Sequence, residues 1–393
     1  MYGQMPARRH HLNAGLLVGF VVLLVALIPS AMVLPAFGEF GHPATLLCLL
    51  LMGIWLLTRL HHRMIAVGAQ PMRWLAWLCL AAACASYAAG LWRGLTPAQD
   101  DMAIRALLGG LGFFGVILAT SEGLRSKERL DGLICLTLIG AAVIAVLGMV
   151  WAAINIDITA YLDIPGLVRR GDAAGPRITP ELGAVLVLLL PFAIHMGRFA
   201  RTRPERGWMG LIGVLMVLAL ATAPSRTALL ALAVLLVVLI PAWTWRTRFN
   251  LLTPSLLVVA AMLYLMPDLP RSIAKMFTEP GNDVVAAARG RWAAIPEQAW
   301  PGGHWLVGVI ALAALHLGAF VLAALAFRRS VMLADRHLCA CLMATQLMGI
   351  ALGFTFAPFE LGTYPIFMAI ATGACAAMWR LSVPRRRRVV SQA

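Results

Sequence analysis

The sequence predicts an all-α integral membrane protein with about twelve transmembrane helices and both termini in the cytoplasm. Hydrophobic residues make up 61% of the 393 residues and charged residues only 12%, far from the balance of a soluble globular domain. Apolar runs of about 20 residues, enough to cross about 30 Å of hydrocarbon, recur along the whole chain. The basic residues are also distributed unevenly between alternate connecting segments.

The apolar runs lack the alternating pattern of barrel strands, so helices, which satisfy their own backbone hydrogen bonds, are expected to cross the membrane. A single polytopic domain is expected to cover residues 1–393. The predicted spans are 12–34, 43–60, 74–92, 102–121, 133–154, 178–199, 207–223, 226–245, 250–267, 305–327, 337–356 and 359–379.

The charged residues predict the orientation of these spans. With the N-terminus in the cytoplasm, the cytoplasmic segments hold 22 of the 32 Lys and Arg residues but only five of the 17 acidic residues. An excess of positive charge is typical of cytoplasmic loops. An even number of spans then returns the C-terminus to the cytoplasm. The net charge of +15 is therefore mainly a topology signal, with an added attraction to anionic membrane lipids.

Several function classes are disfavoured by the sequence. No basic segment has interleaved aromatic residues or a soluble domain to carry it, so no nucleic-acid partner is expected. No glycine loop of the Walker or dinucleotide-binding type is found, and no cofactor is expected. The seven cysteines all lie within apolar spans and are expected to be small buried side chains. The Cys339/Cys341 pair has no second pair or acidic cluster near it, so no metal site is expected.

Two long segments, 155–177 and 268–304, are predicted at the outer face. Together with Arg226, which lies between the seventh and eighth spans, they place eight basic residues there: Arg169, Arg170, Arg177, Arg226, Arg271, Lys275, Arg289 and Arg291. Arg226 is the only charge from Ala221 to Trp243. A charge at that depth is costly unless it faces protein, water or an anion. Pro224 can end one helix there and Ser225 can cap the next.

Arginine on this side runs against the positive-inside tendency. Its planar fork suits phosphate oxygens in a partly desolvated site, and a cluster at the outer boundary would suit a lipid-linked pyrophosphate. Alternatively, these arginines reach towards lipid headgroups or pair with nearby acidic residues, of which the outer segments hold Asp157, Asp163, Asp172 and Asp283.

Two residues are candidates for a catalytic base. Glu181 follows Pro180 in the first turn of the sixth helix. It either stabilises the positive end of that helix dipole or serves as a base or an orienting carboxylate beside the arginines. His304 is the second candidate, with a structural role as the alternative. His316 lies deep in the tenth span and is interpreted as a polar contact between packed helices.

Several stretches resemble the O-antigen ligase and polymerase superfamily of bacterial polysaccharide assembly. SRTALLALAVLLVVLIPAW is similar to its helix that opens with Ser-Arg. GPRITPELGAVLVLLLPFAI resembles its polar turn with a Pro and a Glu or Asn before a Leu-rich helix. AAARGRWAAI resembles the Arg-plus-aromatic start of its large outer loop, and the spans ending in GACAAMWRL look like the C-terminal helices of its actinobacterial members. The similarity covers about 169–292 and 305–381.

The resemblance implies a metal-independent glycan transferase in the bacterial plasma membrane. Such enzymes move a glycan from an undecaprenyl-pyrophosphate carrier at the outer face to an acceptor hydroxyl on a glycan or lipid. Matched position by position, Arg226 and Arg289 are the pyrophosphate residues, with Arg291 as the alternative to Arg289. Arg177 belongs to the same outer group of arginines. Glu181 matches the acidic position before the Leu-rich helix.

The sequence departs from the family pattern after Ile295. Family members carry a long outer loop there, which ends in His-Asn or Asp-Asn, whereas this chain has only PEQAWPGGHWLVG, with Trp305 after His304. A catalytically silent assembly partner is therefore one alternative to the enzyme. A transporter of polysaccharide or lipid-linked oligosaccharide is another that the helix count allows. No repeat between the two halves of the chain supports it, although many transporters show one.

Overall fold

A computed structural model describes residues 14–28, 32–60, 70–154, 164–169, 180–200, 202–222, 226–243, 305–353 and 363–383, with scattered positions between 245 and 275. The helices with described bounds are α1 (Ala14–Leu27), α2 (Pro43–Leu60), α3 (Pro71–Arg93), α4 (Pro97–Gly123), α5 (Lys127–Ile154), α6 (Pro180–Phe199), α7 (Arg203–Thr222), α8 (Arg226–Ala242), α9 (Trp305–Arg329), α10 (Leu333–Gly353) and α11 (Thr363–Ser382). Two short strands, β1 (Met32–Val33) and β2 (Val168–Arg169), and a 3-10 helix, Pro35–Phe40, accompany them.

Eight of the described helices contain a segment long and apolar enough to cross a membrane, namely α2 to α7, α9 and α11. Helix α8 has a shorter apolar segment, Ala228–Pro241. These helices indicate a multi-pass membrane protein, as the composition predicts. Each of α1 to α11 falls on one predicted span. The span 250–267 lies mostly outside the described residues, as do the termini 1–13 and 384–393, so the count of twelve and the location of the termini stay predictions.

The first predicted span, 12–34, is wrong at its C-terminal end. Helix α1 ends at Leu27, and Met32 and Val33 form strand β1 instead. The ring of Pro29 removes a backbone donor and disfavours helical geometry in the residue before it. The apolar run continues through this break, so hydrophobicity alone could not reveal where the helix ends.

Proline residues begin several of the helices. Pro43, Pro71, Pro97 and Pro180 are the first residues of α2, α3, α4 and α6, where the missing N–H would have no helical partner in any case. At α4 the start is reinforced by a capping box: the Thr96 side chain accepts from Gln99 N–H, and the Gln99 side chain accepts from Thr96 N–H.

The bundle has two ends. At one end the strands pair antiparallel, Met32 with Arg169 and Val33 with Val168, and we call it the ladder end. This pairing joins the α1–α2 connection to the α5–α6 connection. At the opposite end, Glu122 lies in the last turn of α4, and we call this the Glu122 end. Helices α1, α3, α5, α7 and α10 run towards the ladder end, and the other described helices run away from it.

Helix α11 is the centre of the bundle. All its residues from Tyr364 to Met378 are buried, and it contacts α1, α3, α4, α5, α6, α9 and α10. A helix that is buried all round must present small residues where its neighbours come closest. At Gly373 an added Cβ would lie 2.6 Å from Thr120 Cβ and 2.8 Å from the Ile117 carbonyl oxygen. Glycine therefore permits the close packing of α11 on α4.

Candidate functional site

The candidate site predicted from the sequence centres on the starts of α6 and α8. Glu181 is the second residue of α6, and Arg226 is the first residue of α8. His195, near the end of α6, and Trp243, just after α8, both lie beside His337 of α10, so α6 and α8 end at the same end of the bundle and run parallel. They also pack against each other. The backbones of Glu181 and Arg226 therefore lie at the same end of the bundle, the ladder end.

The electrostatics of this end follow from the helix directions. A helix N-terminus carries a partial positive charge and unpaired N–H groups, which together favour anions. Glu181 complements the start of α6. Arg226 has the opposite effect at the start of α8, whose first turn contains no acidic residue. Strand β2 holds the backbone of Arg169 at the same end. Two helix N-termini and the backbones of Arg169 and Arg226 thus lie at this end of the bundle, and the anion site expected there stays a prediction.

The side chains of the predicted site are not among those the structure describes. This applies to Glu181 and Arg226, whose backbone positions are given above. Arg177, Arg289, Arg291 and His304 lie wholly outside the described residues, together with most of the outer segments 155–177 and 268–304. Their roles, and the distances between them, stay predictions.

The Glu122 end contains a buried histidine pair that the sequence does not predict. His195 of α6 and His337 of α10 lie with their Nδ1 atoms 3.2 Å apart, and Trp243, just after α8, has its Nε1 atom 3.1 Å from His337 Nε2. Indole N–H can only donate, so Nε2 of His337 accepts and its Nδ1 carries the hydrogen. That hydrogen is donated to His195 Nδ1. The chain of hydrogen bonds fixes both tautomers and links α8, α10 and α6.

Polar residues inside apolar spans are the only sequence feature that could have revealed this pair. Such residues are costly in a membrane and tend to face the protein interior. His195 and His337 are 142 positions apart, so no local spacing connects them. The packing of α10 against α6 and α8 brings them together.

His316 forms a second buried polar group, near the middle of the helices. Its Nδ1 atom lies 2.9 Å from Gln346 Oε1, and Thr372 Oγ1 donates to the same oxygen at 3.2 Å. All three residues are buried. The group joins α9, α10 and α11, which confirms the interpretation of His316 as a polar contact between packed helices.

The cysteines only partly follow the prediction. Five are buried, but Cys84 is exposed and Cys135 is half-buried, because helices on the outside of a membrane bundle turn apolar side chains towards lipid. Cys341 Sγ lies 3.3 Å from the Pro191 carbonyl oxygen and 3.5 Å from His337 Nδ1. Within the described part of the chain, no group of three or more His, Cys, Asp or Glu side chains could hold a metal ion.

Comparisons with known proteins leave the family open. No protein-family model matches the chain, and no curated protein gives a significant match. The similarity to the O-antigen ligase and polymerase superfamily therefore depends on the short stretches quoted above.

Proposed function

We propose that the protein is a membrane-embedded glycan transferase of the O-antigen ligase and polymerase type. It has twelve spans, both termini in the cytoplasm and the ladder end at the outer face of a bacterial plasma membrane. It joins a saccharide carried on undecaprenyl pyrophosphate to a hydroxyl of a glycan or lipid acceptor. The observation that carries the proposal is that Glu181 and Arg226 begin parallel, packed helices at one end of the bundle.

The reaction requires charge stabilisation and one proton transfer. The acceptor oxygen attacks the anomeric carbon, the bond from that carbon to the phosphate oxygen breaks, and undecaprenyl pyrophosphate leaves with the bonding electrons. Arg226, with Arg289 or Arg291 and Arg177, neutralises the charge that develops on the leaving group. The proton of the attacking hydroxyl passes to Glu181 or His304. The two helix N-termini add to the positive potential at the pyrophosphate.

The placement of Arg226 favours a substrate-binding role over a purely structural one. Arginine at a helix N-terminus is disfavoured by the helix dipole, by about 0.3–1 kcal/mol at an exposed position. A bound pyrophosphate would reverse this balance, because it would interact favourably with both the guanidinium and the dipole.

The test is to extract lipid-linked saccharides from cells that lack the protein, and from cells rescued with the natural chain, Arg226→Ala or Arg206→Ala. Arg206 is an exposed arginine in the first turn of α7, at the Glu122 end, and serves as the matched control. We expect the deletion to accumulate undecaprenyl-linked glycan, which the natural chain and Arg206→Ala clear and Arg226→Ala does not. Equal amounts of each chain in the membrane must be verified.

Two other results would redirect the proposal. If Arg226→Ala clears the glycan as well as the natural chain does, Arg226 is structural and the silent assembly partner is favoured. If nothing accumulates in the deletion, the lipid-linked substrate is wrong and a transporter of polysaccharide is favoured.

A further inference from the structure

A cluster of arginines surrounds one buried carboxylate at the Glu122 end. Glu122 accepts a hydrogen bond from Arg73 Nε at 2.7 Å, is ion-paired with Arg59, and accepts from Trp55 Nε1 at 3.2 Å. Arg380 donates to the backbone carbonyl oxygen of Glu122 at 3.1 Å. This Glu122 cluster ties the end of α2, the start of α3 and the end of α11 to the end of α4.

The charges in the Glu122 cluster do not balance. Two guanidinium groups pair with the single carboxylate, and Arg380 adds a third positive charge beside the backbone carbonyl of Glu122, so the cluster has a net charge of +2. Two of its buried donors, Arg59 Nε and Arg73 Nη2, have no hydrogen-bond partner among the described residues. Buried N–H groups of charged side chains are costly when they are unpaired. The cluster therefore has both the charge and the free donors to bind an anion.

The side chains of Arg59 and Arg73 are only partly enclosed by protein, although the two unpaired donor atoms themselves are buried. The Glu122 side chain is only 6% exposed, but the side chains of Arg59 and Arg73 retain 19% and 27% exposure. Helices α2 and α3 both pack against α4, and Trp55 of α2 meets Trp77 of α3 with ring centroids 6.3 Å apart. The two arginines thus lie where α2 ends and α3 begins, on the outer side of α4.

The surface around the two arginines is apolar and exposed. On α2, Leu57 and Leu60 point outwards, and on α3, Trp74 and Leu78 do so, with Leu60 83% exposed and Trp74 75% exposed. Both helices are long and apolar enough to cross a membrane, so these side chains face lipid. An anion in the Glu122 cluster would therefore lie directly beside hydrocarbon, as the phosphate of a membrane lipid does.

We infer that the Glu122 cluster binds the phosphate group of an anionic phospholipid, whose acyl chains lie along the exposed apolar faces of α2 and α3. The planar guanidinium group of arginine can donate two hydrogen bonds to a phosphate at once, whereas the ammonium group of lysine acts as a point charge. Basic pockets between membrane helices are a known way of binding anionic headgroups. A free phosphate ion shares the chemistry but gains nothing from the neighbouring leucine and tryptophan side chains. This inference does not depend on the proposed transferase activity, because it concerns the opposite end of the bundle.

The inference can be tested on the purified full chain in detergent. Phosphatidylglycerol, phosphatidylcholine or inorganic phosphate is added, and bound lipid is measured by native mass spectrometry while thermal stability is followed in parallel. We expect phosphatidylglycerol to bind and stabilise the natural chain, and phosphatidylcholine to do neither. Arg73→Gln should lower the phosphatidylglycerol affinity about tenfold, the effect of losing one charge-assisted hydrogen bond. Arg206→Gln, with the same loss of charge at the same end, should leave the affinity unchanged.

A second variant keeps the test decisive if Arg73→Gln folds poorly. Glu122→Gln removes the competing carboxylate but retains an oxygen that can accept from Trp55. It should raise the affinity for phosphatidylglycerol, whereas a purely structural ion cluster would lose stability without binding more lipid. The inference is overturned if phosphatidylglycerol binds the natural chain no better than phosphatidylcholine, or if Glu122→Gln binds it no more tightly. Equal stabilisation by inorganic phosphate would also overturn it, since the ligand would then be the free ion.

Discussion

The close packing of α11 on α4 predicts that Gly373→Ala destabilises the bundle. The added Cβ would lie 2.6 Å from Thr120 Cβ and 2.8 Å from the Ile117 carbonyl oxygen, so the helices would have to separate by up to about 0.8 Å to reach an ordinary contact of 3.4 Å. Ile117 O is backbone and cannot move aside alone. Overpacking of this kind costs about 1–3 kcal/mol, and the higher helix propensity of alanine returns about 1 kcal/mol at most. A net loss of up to about 2 kcal/mol remains.

Gly53→Ala is the matched control for this substitution. Gly53 lies inside α2, and an added Cβ there would meet nothing within 4 Å, so only the gain in helix propensity operates. The assay is thermal unfolding in one detergent, followed by tryptophan fluorescence. Gly373→Ala should unfold at a lower temperature than the natural chain, and Gly53→Ala at the same or a higher temperature. Equal unfolding temperatures for the two variants would show that α4 and α11 are not packed this closely.

Two further substitutions test the buried polar groups by the same assay. Gln346→Leu leaves His316 Nδ1 and Thr372 Oγ1 without their shared acceptor and should destabilise the protein by about 1 kcal/mol. The double variant with His316→Leu should lose less stability than the sum of the two single losses. Strict additivity of the two losses would contradict the contact. Trp243→Phe removes the donor to His337 Nε2 and should also lower the unfolding temperature, whereas Trp245→Phe, at an exposed position, should not change it.

The positions of the helices could largely be predicted because apolar length and proline placement act locally. The starts of α2 and α8 coincide with predicted span starts at Pro43 and Arg226. Where a helix is longer than its predicted span, the cause is local as well. Helices α3 and α4 extend beyond their predicted spans because polar first turns, such as the one that follows Thr96 in α4, belong to the helix but not to its apolar segment.

Contacts between helices could not be predicted in this way. Trp55 and Glu122 are 67 positions apart and Arg73 and Glu122 are 49 apart, and nothing in the sequence around each residue indicates its partner. The distribution of charge along the sequence predicts only that Arg59 and Arg73 are two of the 22 basic residues in cytoplasmic segments. The same holds for the candidate site: the Ser-Arg stretch predicts that a helix begins at Arg226, but only the packing of α8 with α6 places that start at the same end of the bundle as the start carrying Glu181.

The orientation of the bundle decides whether the ladder end can meet a substrate at the outer face, and cysteine labelling in intact cells can measure it. Val168→Cys places a thiol at an exposed position of β2, at the ladder end, and Arg206→Cys places one at an exposed position of α7, at the Glu122 end. The natural chain gives the background from its own seven cysteines. We expect a membrane-impermeant maleimide to label Val168→Cys in intact cells, and Arg206→Cys only after permeabilisation. The reverse result would put Glu181 and Arg226 in the cytoplasm, where an acceptor at the outer face cannot reach them, and the proposed transferase would have to be abandoned even if the resemblance were sound.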